Sequence, residues 1–211
     1  MRLIVTIIFC FTTNLLLGQE TGLDLGFNVS IMTRLNSIET KDNTNFNEIR
    51  NSNRWGFDLG FSFYYIFNER FEIRSTPTMG FEEDKIIYTR QGLDENLLFG
   101  PTFLKLPTHG IFKFNKKIPI GIVFGATPNI QVSQIDDAPV DKIRLGKNEL
   151  TVDLGLNYRI GLPWFVISPE IKYCKSMTNV AGDQRTEYGQ AISSFYRDRI
   201  IYGIYIRHQF E

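Results

Sequence analysis

The residues of this chain that could do chemistry are charged, and they fall on every second position. Asp24, Asp58, Glu72, Glu82, Asp153 and Glu170 lie in phase with the small or polar half of alternating segments. Arg74, Lys105, Lys113, Arg159, Lys172, Arg199 and Arg207 do the same, while the other half is large and apolar. A β-strand points successive side chains to opposite faces, so this spacing gathers acids and bases on one face. Their near balance suits mutual neutralisation, because an unpaired buried charge is very costly. The chemistry to expect is ion pairing. Asp58, Glu72, Arg74, Lys105, Asp153, Arg159, Glu170, Lys172 and Arg207 are the expected members of an interior ionic network. Glu170 and Arg159 flank a short turn on neighbouring segments, so they are expected to pair with each other or with Arg74 and Lys172.

Other chemistry finds little support. Hydrolysis or acyl transfer on lipid needs Ser, His and a carboxylate together. The two histidines, His109 and His208, have no nearby serine in a recognisable motif. Their phases send His109 to the charged face and His208 to the apolar one. Two cysteines, Cys10 and Cys174, make neither a four-cysteine zinc site nor a disulfide framework. No Gly-rich phosphate loop stands in a strand–loop–helix context. No catalytic residue, metal site or cofactor is expected, and the chain is not expected to be an enzyme.

Composition narrows the class. The 211 residues allow one domain, or two small ones. Lys+Arg 23 against Asp+Glu 23 leaves no net charge, which argues against a nucleic-acid partner. A hydrophobic content of 43% is too high for a disordered chain. A mean hydropathy of −0.14 excludes a helical membrane bundle. It leaves a membrane β-barrel open, since alternating strands average out on hydropathy scales.

The elements that must position the charges are strands. From Trp55 to Ile66 the odd positions read Trp, Phe, Leu, Phe, Phe, Tyr; the even ones read Gly, Asp, Gly, Ser, Tyr, Ile. The same alternation runs through Leu23–Ile31, Phe71–Glu82, Leu104–Phe114, Ile118–Ile130, Val152–Ile160, Phe165–Tyr173 and Arg199–Phe210. That is about eight strands, the smallest usual barrel. Connections of a few residues at 67–70, 115–117 and 161–164 alternate with longer polar ones at 36–53, 134–148 and 179–194. The segment 89–96 reads as a shorter polar connection between long strands. Short turns at one rim and long loops at the other match an outer-membrane barrel, with the short turns and both termini in the periplasm.

Upstream of the barrel, Met1-Arg2 is basic, Leu3 to Phe11 is apolar, and Leu15-Leu16-Leu17-Gly18 precedes the polar chain. This is the layout of a signal peptide over 1–18, leaving 19–211 as the barrel.

A soluble lipocalin-like barrel also alternates, but with its apolar face inward. Three features favour apolar-out. The polar face carries charge on nearly every strand and glycine on several, as a narrow interior requires. Aromatics gather near strand ends, with Phe67, Phe71, Phe114, Trp164, Phe165 and Phe210 at the short-turn rim and Trp55, Phe81 and Tyr173 nearer the other. The last strand ends Gln209-Phe210-Glu211, similar to the closing signal of outer-membrane barrels. The fold expected is an all-β, eight-stranded, antiparallel up-and-down transmembrane barrel in contact with outer-membrane lipid.

Four stretches resemble the PorT family of small outer-membrane barrels, found in bacteria with type IX secretion. They are Arg70 to Phe81 with Tyr88, Phe103 to Pro107 with Phe112-Lys113-Phe114, Leu154 to Tyr173 centred on Ser168-Pro169-Glu170, and Arg197 to Glu211. Thr108-His109-Gly110 and Lys175-Ser176-Met177 depart from the family pattern. The resemblance implies an accessory role in exporting cargo and in gliding motility, with other type IX proteins as partners and no catalytic residue. The interior of an eight-stranded barrel is filled by its own side chains, so the chain is not expected to be the conduit. A surface adhesin or receptor, or a purely structural envelope barrel, is the alternative.

Overall fold

The computed structural model describes residues 22–41, 45–52, 54–115, 118–136, 146–181 and 186–208. The expected signal peptide and the Phe210 terminus lie outside them. The elements are β1 (Gly22–Arg34), β2 (Ser37–Thr40), β3 (Glu48–Ser52), β4 (Trp55–Ile66), β5 (Phe71–Ser75), β6 (Thr78–Phe81), β7 (Asp84–Arg90) and β8 (Leu93–Lys105). They continue with β9 (Thr108–Asn115), β10 (Ile118–Asp136), β11 (Asn148–Tyr158), β12 (Ile160–Gly161), β13 (Phe165–Ser176), α1 (Glu187–Gln190), β14 (Ile192–Tyr196) and β15 (Arg199–His208).

These strands close into an eight-stave antiparallel barrel. β1 pairs with β15 on one side and β4 on the other, which removes both sheet edges. Two staves are broken by proline. β5 and β6 form one stave around Thr76-Pro77, and β8 and β9 form the next around Leu106-Pro107. Proline has no N–H to offer the ladder. The breaks lie side by side and satisfy one another, with Thr76 N–H donating to the Pro107 carbonyl at 3.0 Å. Phe61 N–H reaches the Pro77 carbonyl at 3.1 Å, and Leu106 N–H the Pro128 carbonyl at 3.0 Å. The backbone of the wall is therefore paired across the breaks, as a lipid-facing surface demands.

The alternation places apolar side chains outward. Leu23, Leu25, Phe27, Val29 and Ile31 on β1 are all exposed, as are Phe57, Leu59, Phe61 and Phe63 on β4 and Val152, Leu154 and Leu156 on β11. The opposite phase is buried and charged. Trp164 and Trp55 stand exposed near opposite ends of their staves. Aromatic pairs reinforce the outer surface, Phe57 on Phe81 at 4.8 Å and Tyr65 on Phe67 at 4.6 Å between ring centres. None of the described helices is long and apolar enough to cross a membrane; the strands carry the apolar belt.

Glycine on the inner phase is a steric requirement. A Cβ on Gly125 would lie 2.1 Å from the Thr108 carbonyl oxygen, and one on Gly155 would lie 2.3 Å from that of Ile171. Without these glycines, adjacent staves could not approach as closely as they do.

At the short-turn rim the chain reverses tightly. Asn68 Oδ1 accepts from the backbone N–H groups of Arg70 and Phe71, both at 2.9 Å. Such an Asx contact substitutes for backbone pairing within a turn. The other rim differs from the expected polar loops. The segment 89–96 is no loop: β7 and β8 run to a two-residue turn, Gln91-Gly92, with both φ values positive at 52° and 79°. That is the backbone a tight hairpin selects. The connection 36–53 contains β2 and β3, and 179–194 contains α1 and the start of β14. β3 adds to β7, and β2 pairs with β14. β10 extends to Asp136, inside the expected 134–148 loop, and residues 137–145 lie outside the described ones.

Charge on the outer face tests the environment. Phe61, 70% exposed in the middle of β4, faces outward beside Phe27. Phe61→Arg is expected to destabilise the barrel by about 2–4 kcal/mol in phospholipid vesicles, the cost of arginine near a bilayer midplane. Urea unfolding followed by tryptophan fluorescence measures it; an unchanged midpoint would contradict a lipid-facing surface.

Candidate functional site: a charged interior beneath an apolar cap

The inward charges form three layers. The lowest, at the short-turn rim, centres on Glu72 of β5. Its carboxylate meets Lys113 Nζ at 2.9 Å, Arg207 Nη1 at 3.1 Å and the Arg159 guanidinium. Asp24 lies 3.4 Å from Arg207 Nε, and the Arg207 guanidinium stacks over Tyr64 at 4.9 Å.

In the middle layer Glu170 of β13 accepts from both Nη atoms of Arg74, each at 2.8 Å, in a bidentate fork across the interior. Lys172 Nζ is 3.2 Å from the same carboxylate and donates to the Tyr205 hydroxyl at 3.1 Å. Arg74 lies 3.7 Å over the Tyr205 ring. His109 Nε2 is 2.9 Å from Asp153 Oδ2, and its Nδ1 faces the Arg74 guanidinium at 3.4 Å. Thr151 donates to the other Asp153 oxygen at 2.8 Å, and Thr127 also bonds this carboxylate. The His–Asp pair is thus embedded in charge and hydroxyls already committed to Asp153. His208 faces outward and exposed.

The upper layer joins Lys105 to Asp58 at 2.8 Å and to Glu82 at 2.6 Å. Arg199 meets Glu149 at 2.6 Å and Glu82 at 3.4 Å. Arg34 contacts Glu82 and Asp84, and Arg197 Nε reaches Asp84 at 3.2 Å. Between the middle and upper layers lies a cavity of about 20 Å³, bordered by Asn28, Asn129, Lys105 and Lys172. It has room for one or two waters. The Oδ1 atoms of Asn28 and Asn129 are buried without a partner among the described residues, and water is the natural donor for them.

Above the charges sits an apolar core. Ile86 and Tyr88 of β7, Leu97 and Phe99 of β8, and Ile192 and Phe195 of β14 pack with Phe46 and Val180. The rings of Phe46, Tyr88 and Tyr188 lie about 5 Å apart, with centres at 4.9, 5.0 and 5.2 Å. Tyr88 donates to the Tyr188 carbonyl at 3.2 Å. Burial, with Tyr188 beside it, holds the Tyr88 phenol well above its ordinary range, so it remains a donor. Arg197 lies 5.4 Å from the Phe103 ring and 5.8 Å from Phe195, linking the cap to the ionic layers.

All nine network residues read from the sequence face the interior. Glu170 and Arg159, however, do not pair. Glu170 stands opposite Asn157 in the β11–β13 register, so Arg159 lies two residues nearer the rim and joins Glu72 instead. Glu170 takes Arg74 and Lys172. Arg34, Asp84, Glu149 and Arg197 are interior members missed from sequence. All four are in phase with neighbours already read as inward; carrying the alternation two residues further finds Asp84 and Arg197, and four further finds Arg34 and Glu149.

No family model matches the sequence, and no curated protein matches it. Among solved structures, the outer membrane protein OprG from Pseudomonas aeruginosa aligns with a TM-score of 0.52 at 13% identity, covering 92% of this chain and 98% of that one. Neisserial surface protein A aligns at 0.46 and 12% identity over 90% of this chain and 99% of that one. AlkL, solved in lipid bilayers, aligns at 0.45 and 13% identity over 92% of each. At 13% identity the likeness to OprG is one of fold. With β1 closed onto β15 and β4, the class is a closed, eight-stranded antiparallel barrel sharing the fold of that outer-membrane protein.

Proposed function

We propose that this chain is an outer-membrane β-barrel with its short turns and termini in the periplasm, acting as an accessory component of type IX protein secretion. It assists assembly or support of a larger translocon and is not the conduit. The observation that carries this reading is the filled interior. Three ionic layers and an apolar cap occupy the interior, and the cavity between the middle and upper layers holds only a water or two, so the bore offers no path for a polypeptide. What remains to act on partners is the outer wall, the cap and the periplasmic turns. The PorT-like stretches supply the secretion context: Ser168-Pro169-Glu170 places Glu170 at the heart of the middle layer, and Pro107 forms one of the paired breaks in the wall.

Deleting the gene in its own host is expected to deplete type IX cargo from the medium and accumulate it in cells, with rescue by the intact gene. The purified barrel in a planar bilayer is expected to show no wide pore. Normal export in the deletion strain would discard the secretion role, and a protein-conducting pore would discard the accessory one.

A second reading, a surface adhesin or receptor, is favoured by the cap itself. The described residues of the connections 36–53 and 179–194 do not trail as polar loops; they pack around a shared apolar core and carry the β2–β14 sheet. That reading predicts attachment that depends on the cap while export stays normal.

A further inference from the structure

The three layers differ in their charge balance. In the upper layer Asp58, Glu82, Asp84 and Glu149 are matched one for one by Arg34, Lys105, Arg197 and Arg199. In the middle layer Arg74 and Lys172 are matched by Glu170 and Asp153, leaving His109 aside. In the lowest layer Lys113, Arg159 and Arg207 converge on Glu72, and Asp24 lies beside Arg207. Both Glu72 oxygens are already engaged, Oε1 by Arg159 and Oε2 by Lys113 and Arg207. The Nε–H of Arg159 is buried without a hydrogen-bond acceptor among the described residues, as are those of Arg34, Arg74 and Arg199 in the other layers, while Nε of Arg207 lies 3.4 Å from Asp24.

Access also differs. The side chains of Lys113, Arg159 and Arg207 are 15, 17 and 11% exposed, whereas Arg34, Arg74, Lys105, Lys172, Arg197 and Arg199 are at most 4% exposed. The lowest layer is therefore the most exposed of the three, and it lies at the short-turn rim. Surplus positive charge and access to solvent occur together at one place.

We propose that this mouth is an oxyanion-binding site, in which Arg159, Arg207 and Lys113 take a phosphate or carboxylate group entering from the short-turn side. A guanidinium can donate to two oxygens of a carboxylate or of a phosphate at once, and an ammonium beside it adds a point charge. Low local dielectric strengthens such contacts relative to bulk water. The anion completes the neutralisation that the upper and middle layers achieve within the chain. This site does not depend on a role in secretion.

The test is thermal unfolding of the exported chain, refolded in phosphatidylcholine vesicles, against rising inorganic phosphate. Sodium chloride at matched ionic strength is the control, and sodium acetate is a parallel arm. A ligand bound only by the folded state raises Tm saturably. Phosphate is expected to raise Tm along a saturable curve that chloride does not reproduce. Arg159→Gln and Lys113→Gln are each expected to weaken the phosphate midpoint at least tenfold. Acetate matching phosphate supports the site with a carboxylate as its ligand; phosphate acting alone supports it with a phosphate. Equal shifts with chloride reduce the effect to screening and overturn the proposal. An unchanged midpoint in both variants overturns it as well, and with two substitutions at separate positions the test survives a misfolded one.

Discussion

Glu170→Ala is expected to cost the barrel about 3–5 kcal/mol, the range for stranding one partner of a buried ion pair. Glu170 is fully buried, and its carboxylate is the anion for Arg74 from across the interior and for Lys172 two residues away. Its removal leaves Arg74 against the Tyr205 ring with no carboxylate to accept from either Nη. The measurement is the urea midpoint of refolded protein in phospholipid vesicles, read by the heat-dependent gel shift of folded barrels. The variant Arg74→Met combined with Glu170→Leu removes both charges and keeps apolar volume. It is expected to lose less than the sum of the single changes, because neither charge is left unpaired. A Glu170→Ala midpoint equal to the parent's would mean that water, not the Arg74 fork, meets the needs of the middle layer.

How much of this interior is legible in the sequence follows from what alternation encodes. Period two tells which side of a stave a residue faces, so Asp24, Asp58 and Asp153 are assigned inward from local sequence alone. It does not tell how high a residue sits, because stave heights depend on the register between neighbours. Arg159 and Glu170 share a face but occupy different layers for that reason, and only the β11–β13 register reveals it. Alternation also passes through Pro77 and Pro107 without marking them as breaks, since the inward phase is the same on both sides of each. That the two breaks are neighbours, with Thr76 bonded to Pro107, is a property of pairing and not of either segment. The cap is the least legible part. Phe46, Tyr88, Val180 and Phe195 come from four separate stretches, and none of these reads as a core by itself. The polar composition of 36–53 and 179–194 reads as loop, whereas their few large apolar residues converge on one another.

Phe195→Ala is expected to loosen the cap while leaving the staves closed. Phe195 is 0% exposed at the centre of the apolar cluster, and truncating a buried phenylalanine costs about 3–5 kcal/mol. The cluster is built from β7, β8, β14 and the segments around Phe46 and Val180, and β2 and β14 form a sheet separate from the barrel. The loss therefore falls on local opening of the cap, which regions of separate packing can undergo without global unfolding. Proteolysis tracks the open population when opening and closing are fast. A cost of about 3 kcal/mol then raises cleavage in the cap about a hundredfold, at 1.4 kcal/mol per factor of ten. The heat-dependent gel shift of the barrel is expected to persist. Loss of that shift together with cap protection would show instead that cap and staves fold as one cooperative unit. The same variant tests orientation in intact cells. Protease added outside should cut the cap of Phe195→Ala and spare the parent, because the proposed periplasmic placement of the short turns puts the cap at the cell surface. Cleavage only after the outer membrane is permeabilised would reverse the barrel. It would place the cap among periplasmic partners and the cationic mouth at the outer surface.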